Sequence, residues 1–239
     1  MESPRRVRII GCATVIEEIG PLLPQDVECQ VLDFGLHVAP QRLKQALQEA
    51  VDQAGREVDV VLLGYGLCSM AVVGLRANGC TLVVPKVDDC IALFLGSQAA
   101  YRAQVRSEPG TYYLTKGWIE VGDTPFDEYD RLVDRYGEQK ARWLIEQMLK
   151  NYTRLVFIET GPETDRYKVY ARRLAARFGL RYETIRGSRA LLRKLLFGPW
   201  DDGDFVVVPP GGTITYADFL SAEETAPAQP GGGVYGDHR

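Results

Sequence analysis

Cys12, Cys68 and Cys90 are the residues of this chain best suited to chemistry. Each stands just beyond an apolar run that reads as a buried β-strand, in VRIIGCAT, VVLLGYGLC and LVVPKVDDC. If these runs are neighbouring strands of one parallel sheet, three thiols from distant parts of the chain reach the same rim, where α/β proteins bind ligands. Three thiolates with one open coordination position suit a catalytic zinc ion or a site-differentiated iron–sulfur cluster, since both need a vacant position for substrate. The spacing matches no short Cys-x-x-Cys signature, so the assignment rests on inferred geometry. Each cysteine alone also reads as a small packed side chain at a turn. Cys29 and Cys80 differ, because each begins a strand at the end of the sheet opposite that rim, and structural roles are expected for them.

The residues around these thiols extend the candidate site. Gly64 and Gly66 permit close backbone approach just before Cys68, and Ser69 follows it. Lys86, Asp88 and Asp89 precede Cys90 and are the candidates for catalytic work: the aspartates as acid/base groups or supports for a metal, Lys86 to orient substrate. Simple capping of the next helix is an equal reading of the aspartates. Ser97 and the run PGTYYLTKGW, with Thr111, Tyr112, Tyr113 and Thr115, have the mixture of hydroxyls and aromatics expected of a pocket wall. Glu159 and Thr160 end a later strand and could face the same cleft. Arg186, Arg189, Arg193 and Lys194 make a basic helix side, which reads as a solvated face or, with Gly187-Ser188, as an anion contact.

Short β-branched runs alternate with helical patterns, the signature of a mainly parallel sheet flanked by helices in an α/β fold. Strands are expected at 6–11, 28–33, 59–63, 81–84, 155–159, 181–185 and 204–208, with helices over 88–106, 126–150 and 163–178. PQRLKQALQEAVDQAG places Leu43, Ala46, Leu47 and Ala50 at helical spacing between Pro40 and Gly55. One sheet or two Rossmann-like lobes with a cleft between them would both fit. In the two-lobe arrangement residues 1–110 form a first lobe with the cysteines, 111–214 a second, and 215–239 a Pro/Gly-rich flexible tail.

Composition narrows the function classes. The 239 residues are 46% hydrophobic, enough for a sizeable core, and the formal net charge of −4 supplies no basic field for nucleic acid. No apolar stretch approaches a membrane span and no signal peptide opens the chain, so a cytoplasmic protein with reduced thiols is expected. Of the two histidines, His238 lies in the tail and His37 stands alone in the body, which excludes a multi-histidine metal site there.

At GYGLCS, PKVDDCIALFLGS, PGTYYLTKGW and DFVVVPPGGTI, in that order, the chain resembles the family called domain of unknown function 1638, over residues 6–214. The family usually has arginine where Lys86 stands, and asparagine-glycine where Ser69-Met70 follows the motif cysteine. No established activity comes with the resemblance. It implies a link to anaerobes and to a corrinoid methyl-transfer system as partner.

The leading expectation is a metal-dependent enzyme, of lyase or transferase type, in which Cys12, Cys68 and Cys90 hold an iron–sulfur cluster or zinc. Its substrate is a small anionic or sulfur- or methyl-bearing molecule. One alternative is a non-catalytic protein that binds or delivers a metal, cofactor or small ligand. A two-thiol racemase or isomerase is a lesser one, because it wants a cysteine in each lobe and all five lie in the first 90 residues.

Overall fold

A computed structural model describes residues 5–220 apart from 68, 69, 123, 163, 201 and 202. The first sheet contains β1 (Val7–Cys12), β2 (Glu28–Leu32), β3 (Val60–Gly64) and β4 (Thr81–Pro85), all parallel. Its order is β2-β1-β3-β4, and a late strand joins antiparallel beside β4. The three central strands are buried almost throughout, as sequences rich in Val, Ile and Leu require of strands covered on both faces, with Arg8 the charged exception in β1. Helix α1 (Ala13–Ile19) follows β1 at once, and α2 (Pro40–Ala54) buries Leu43, Leu47, Ala50 and Val51.

After β4 the segment expected to be one helix over 88–106 is two, α3 (Cys90–Leu95) and α4 (Gln98–Ser107). Gly96 takes φ 87° between them, which an α-helix excludes and glycine tolerates. The second sheet is parallel, in the order β5 (Thr111–Leu114), β6 (Arg154–Glu159), β7 (Arg181–Arg186). Helix α5 (Lys116–Val121) follows β5 and takes up the end of the PGTYYLTKGW run. The helix expected over 126–150 is likewise two, α6 (Pro125–Tyr136) and α7 (Glu138–Leu149), folded back at Gly137 with φ 79°. Helix α8 (Asp165–Arg177) leads into β7.

The chain then returns to the first unit. Helix α9 (Ala190–Phe197) sends Leu191, Leu192, Leu195 and Leu196 into the first core, and β8 (Phe205–Val208) pairs with β4 from Leu82↔Val208 to Pro85↔Phe205. Both elements were expected to complete the second unit, so their assignment is corrected. Residues 216–219 form a 3-10 turn that buries Phe219 in the first core, so the tail expected from Thr215 does not include this segment. Residues 221–239, with His238, lie outside the described residues. No described helix is long and apolar enough to cross a membrane.

The two sheets share apolar packing through β6. Its alternate residues Val156 and Ile158 join the first core, while Leu155 and Phe157 join a second core with Tyr129, Ile145, Tyr167 and Ala171. Arg154, 4% exposed, stands at the opposite end of β6. Its guanidinium donates to Thr111 Oγ1 (2.9 Å), Glu183 Oε2 (2.8 Å) and Gln104 Oε1 (3.0 Å), tying β5, β7 and α4 to β6. Arg154→Ala strands these acceptors and is expected to lower the unfolding free energy by about 3 kcal/mol, read from denaturant midpoints.

Candidate functional site

In the first sheet the strand order runs β1 to β2 on one side and β1 to β3 to β4 on the other. The crevice beyond the carboxyl ends of β1 and β3 is therefore the topological switch point, where open α/β sheets bind ligands. Cys12 is the last residue of β1 and the N-cap of α1, 2% exposed; Cys90 is the first residue of α3, 8% exposed, five residues past β4. Cys68 and Ser69 follow β3 at the same rim in sequence and lie outside the described residues. Among the described residues no three His, Cys, Asp or Glu side chains are grouped to hold a metal ion. Cys29 is exposed near the start of β2, and Cys80 is buried immediately before β4, where burial pushes its thiol pKa up and favours the inert form.

The glycines at this rim serve close packing. Gly11 and Gly64 are register partners, and a Cβ on Gly64 would lie 3.1 Å from Val15 Cγ1 and 3.3 Å from Gly11 Cα. A Cβ on Gly66 would meet Val87 Cγ2 at 2.7 Å, so the loop after β3 rests directly on the loop after β4. Thus α1 is held against the strand ends, and the segments leading to Cys68 and Cys90 run in contact.

The other expected residues separate into distinct roles. Asp89 Oδ1 caps α3 by accepting from the Ile91 N–H at 2.8 Å, while Asp88 is exposed and ion-paired with Arg102 at 3.5 Å. Lys86 is half-buried just past β4, its N–H donating to the Asp204 carbonyl. Ser97 caps α4 and Thr115 caps α5. Glu159 pairs with Lys168 at the end of β6. Thr111, Tyr112, Tyr113 and Asp89 come together in the wall of a cavity of about 350 Å³, with Tyr101, Trp118 and Tyr152 added from other segments.

Sequence reasoning missed the group that joins the two sheets at this rim. Glu18, on α1 and 2% exposed, accepts the Gly117 N–H at 2.9 Å on one oxygen and the Thr160 hydroxyl on the other. Gly117 has to be glycine, since a Cβ would lie 2.8 Å from the Thr14 carbonyl oxygen. The pair Glu17-Glu18 gave a signal only in retrospect: Glu17 faces Lys116 at 3.3 Å near the surface, and its neighbour turns inward. One turn before Glu18, the fully buried Thr14 hydroxyl has no hydrogen-bond partner among the described residues. His37 was also missed as a rim residue. It follows β2 in a 3-10 turn, its Nδ1 donates to the Phe34 carbonyl at 2.9 Å, and its ring stacks on Tyr65 just past β3, 6.0 Å between centroids. Phe34 and Phe94 meet the edges of Trp118, so aromatic contacts also span from the first sheet to α5.

The family described as Protein of unknown function (DUF1638) matches residues 31–196, most of the chain, and the chain belongs to that family. The matched span carries Cys68, Cys90 and the aromatic cavity, and leaves out β1 with Cys12, as well as β8. No curated protein and no solved structure matches the chain.

Two outcomes are expected. Glu18→Ala leaves a buried N–H and a buried hydroxyl unpaired and should cost about 2–4 kcal/mol of stability, whereas Glu18→Gln, which keeps an acceptor oxygen, should cost less; urea unfolding of both variants checks this. Tyr101, in the cavity wall, has its hydroxyl pKa pushed up to about 12 by burial and then by Asp89, and Tyr170 is pushed up to about 12 by burial and Asp127. The folded state then holds protons that the unfolded chain releases near pH 10, so the contribution of these two tyrosines to stability should be constant below about pH 10 and turn unfavourable as pH rises toward 12. Unfolding free energies measured alongside the ultraviolet absorbance of tyrosinate would follow that loss.

Proposed function

We propose that Cys12, Cys68 and Cys90 together hold an iron–sulfur cluster or a zinc ion, and that the protein is an enzyme using this site on a small substrate in a reducing, cytoplasmic setting. The observation that carries the reading is the adjacency of β1, β3 and β4, which brings the segments bearing the three cysteines to one rim at the switch point. The donor set fits in kind: Cys12 and Cys90 are buried thiols, and the buried, unpartnered Thr14 hydroxyl two residues after Cys12 leaves a polar atom available to a group at this rim. Bound there, the metal would supply Lewis acidity with one position left for substrate.

The chain's own residues divide the remaining work. Asp89 reaches the neighbouring cavity while capping α3, so it is the aspartate placed to orient substrate or hold a proton. Asp88, exposed and paired with Arg102, is a positioning residue for the loop. The aromatic cavity excludes water from one side of the substrate, and the Glu18 contacts keep the second sheet closed over the rim.

An inventory of metal and acid-labile sulfide in protein purified without oxygen tests this reading. Wild type and Cys29→Ser are expected to carry metal, and Cys12→Ser, Cys68→Ser and Cys90→Ser to lose most of it. Neither iron nor zinc in the wild type, or equal metal in all five proteins, overturns the assignment.

A further inference from the structure

The cavity beside Cys90 has a lining that selects for charge. Five aromatic residues, Tyr101, Tyr112, Tyr113, Trp118 and Tyr152, line a half-open space of about 350 Å³ together with Asp89 and Glu108, and none of its described lining residues is Lys or Arg. Glu108 is already paired, with Arg181 and, at 3.8 Å, with Arg154. The Asp89 carboxylate caps α3 with one oxygen and has no arginine or lysine ion pair among the described residues. The Tyr113 hydroxyl is buried there beside Thr111 and the Arg154 guanidinium. Tyr112 and Tyr152 stand edge to face at 5.2 Å, and Trp118 is braced by Phe94 at 5.8 Å and Phe34 at 6.3 Å, so the walls are set before any ligand arrives.

The faces of aromatic rings carry negative potential, and a cation held over them is stabilised most when water is excluded. An anion in this space would meet ring faces and Asp89, while the buried Arg154 behind Thr111 is committed to Glu183 and Glu108. A neutral apolar molecule would leave the Asp89 charge unused. We infer that this cavity binds a small organic cation of the quaternary ammonium or sulfonium class, with its onium centre against the tyrosine and tryptophan rings and Asp89 as counter-charge. The inference rests on the lining of the cavity that the proposed function assigns to substrate, and does not require the cysteines to hold a metal. A quaternary ammonium has no lone pair to offer a metal, so its binding and the metal inventory fail separately.

Isothermal titration of the full-length protein with choline, and with its uncharged carbon analogue dimethylbutanol, tests the assignment. Choline should bind saturably, and the analogue about tenfold more weakly or not at all. Asp89→Asn keeps an acceptor for the Ile91 N–H and should weaken choline by about tenfold. Tyr152→Leu, at a position 37% exposed where the fold is least at risk, should weaken it as well. Absence of saturable choline binding, equal affinity for the two probes, or an unchanged affinity in both variants overturns the inference.

Discussion

The Glu18 carboxylate is the contact on which the arrangement of this molecule turns. A carboxylate at 2% exposure is tolerable only if its oxygens are satisfied, and here they are satisfied by two segments of the other sheet, the start of α5 and the end of β6. That requirement fixes the second sheet relative to α1. Since α1 begins at Cys12, it also fixes the distance between the cysteine-bearing rim and everything the second sheet contributes. Gly117 makes the approach possible, because any side chain there would strike α1.

Around this contact the two sheets behave as one body. The alternation of β6 sends Val156 and Ile158 one way and Leu155 and Phe157 the other, so a single strand belongs to both cores. Helix α9 and β8 return to β4 and close the first sheet on the side away from β2. The antiparallel pairing of β8 brings Asp204 to the rim where Lys86 emerges, and the Lys86 N–H uses its carbonyl. Arg154 serves at the other end of β6 as Glu18 serves at this one, holding β5 and α4 where they form the cavity floor.

The aromatic cavity sits where the chain passes from the first sheet to the second. Its walls come from the start of α3, from α4, from β5, from Trp118 of α5 and from Tyr152, two residues before β6. Nothing local in PGTYYLTKGW specifies an enclosed space, since an ordinary aromatic strand has the same composition. The cavity forms where Tyr101 and Val105 of α4 meet the residues of β5, and α4 is placed there as Gly96 turns the chain after α3 and Arg154 takes the Gln104 side chain.

What could be read in the sequence was what depends on neighbours along the chain. Apolar runs marked β1, β3, β4 and β6, because a strand buried on both faces needs no polar alternation. Their alternation with helical segments marked the α/β class, and the position of Cys12, Cys68 and Cys90 just past strands marked them as a group. The breaks at Gly96 and Gly137 were missed because helical periodicity continues across both glycines, and only the positive φ at each, selected by packing of the flanking helices on each other, ends the helix. The destination of β8 was missed because a short apolar run carries no record of its partner. The roles of Glu18, Thr14 and His37 were invisible for a related reason: a charged or polar residue in a helix or turn looks the same whether it faces water or a second sheet. Local propensity and periodicity determined most of the strands and the α/β class. The pairing of those elements, the buried carboxylate and the aromatic cavity were decided by contacts between residues distant in sequence, whose energies depend on burial and geometry that no window of sequence contains.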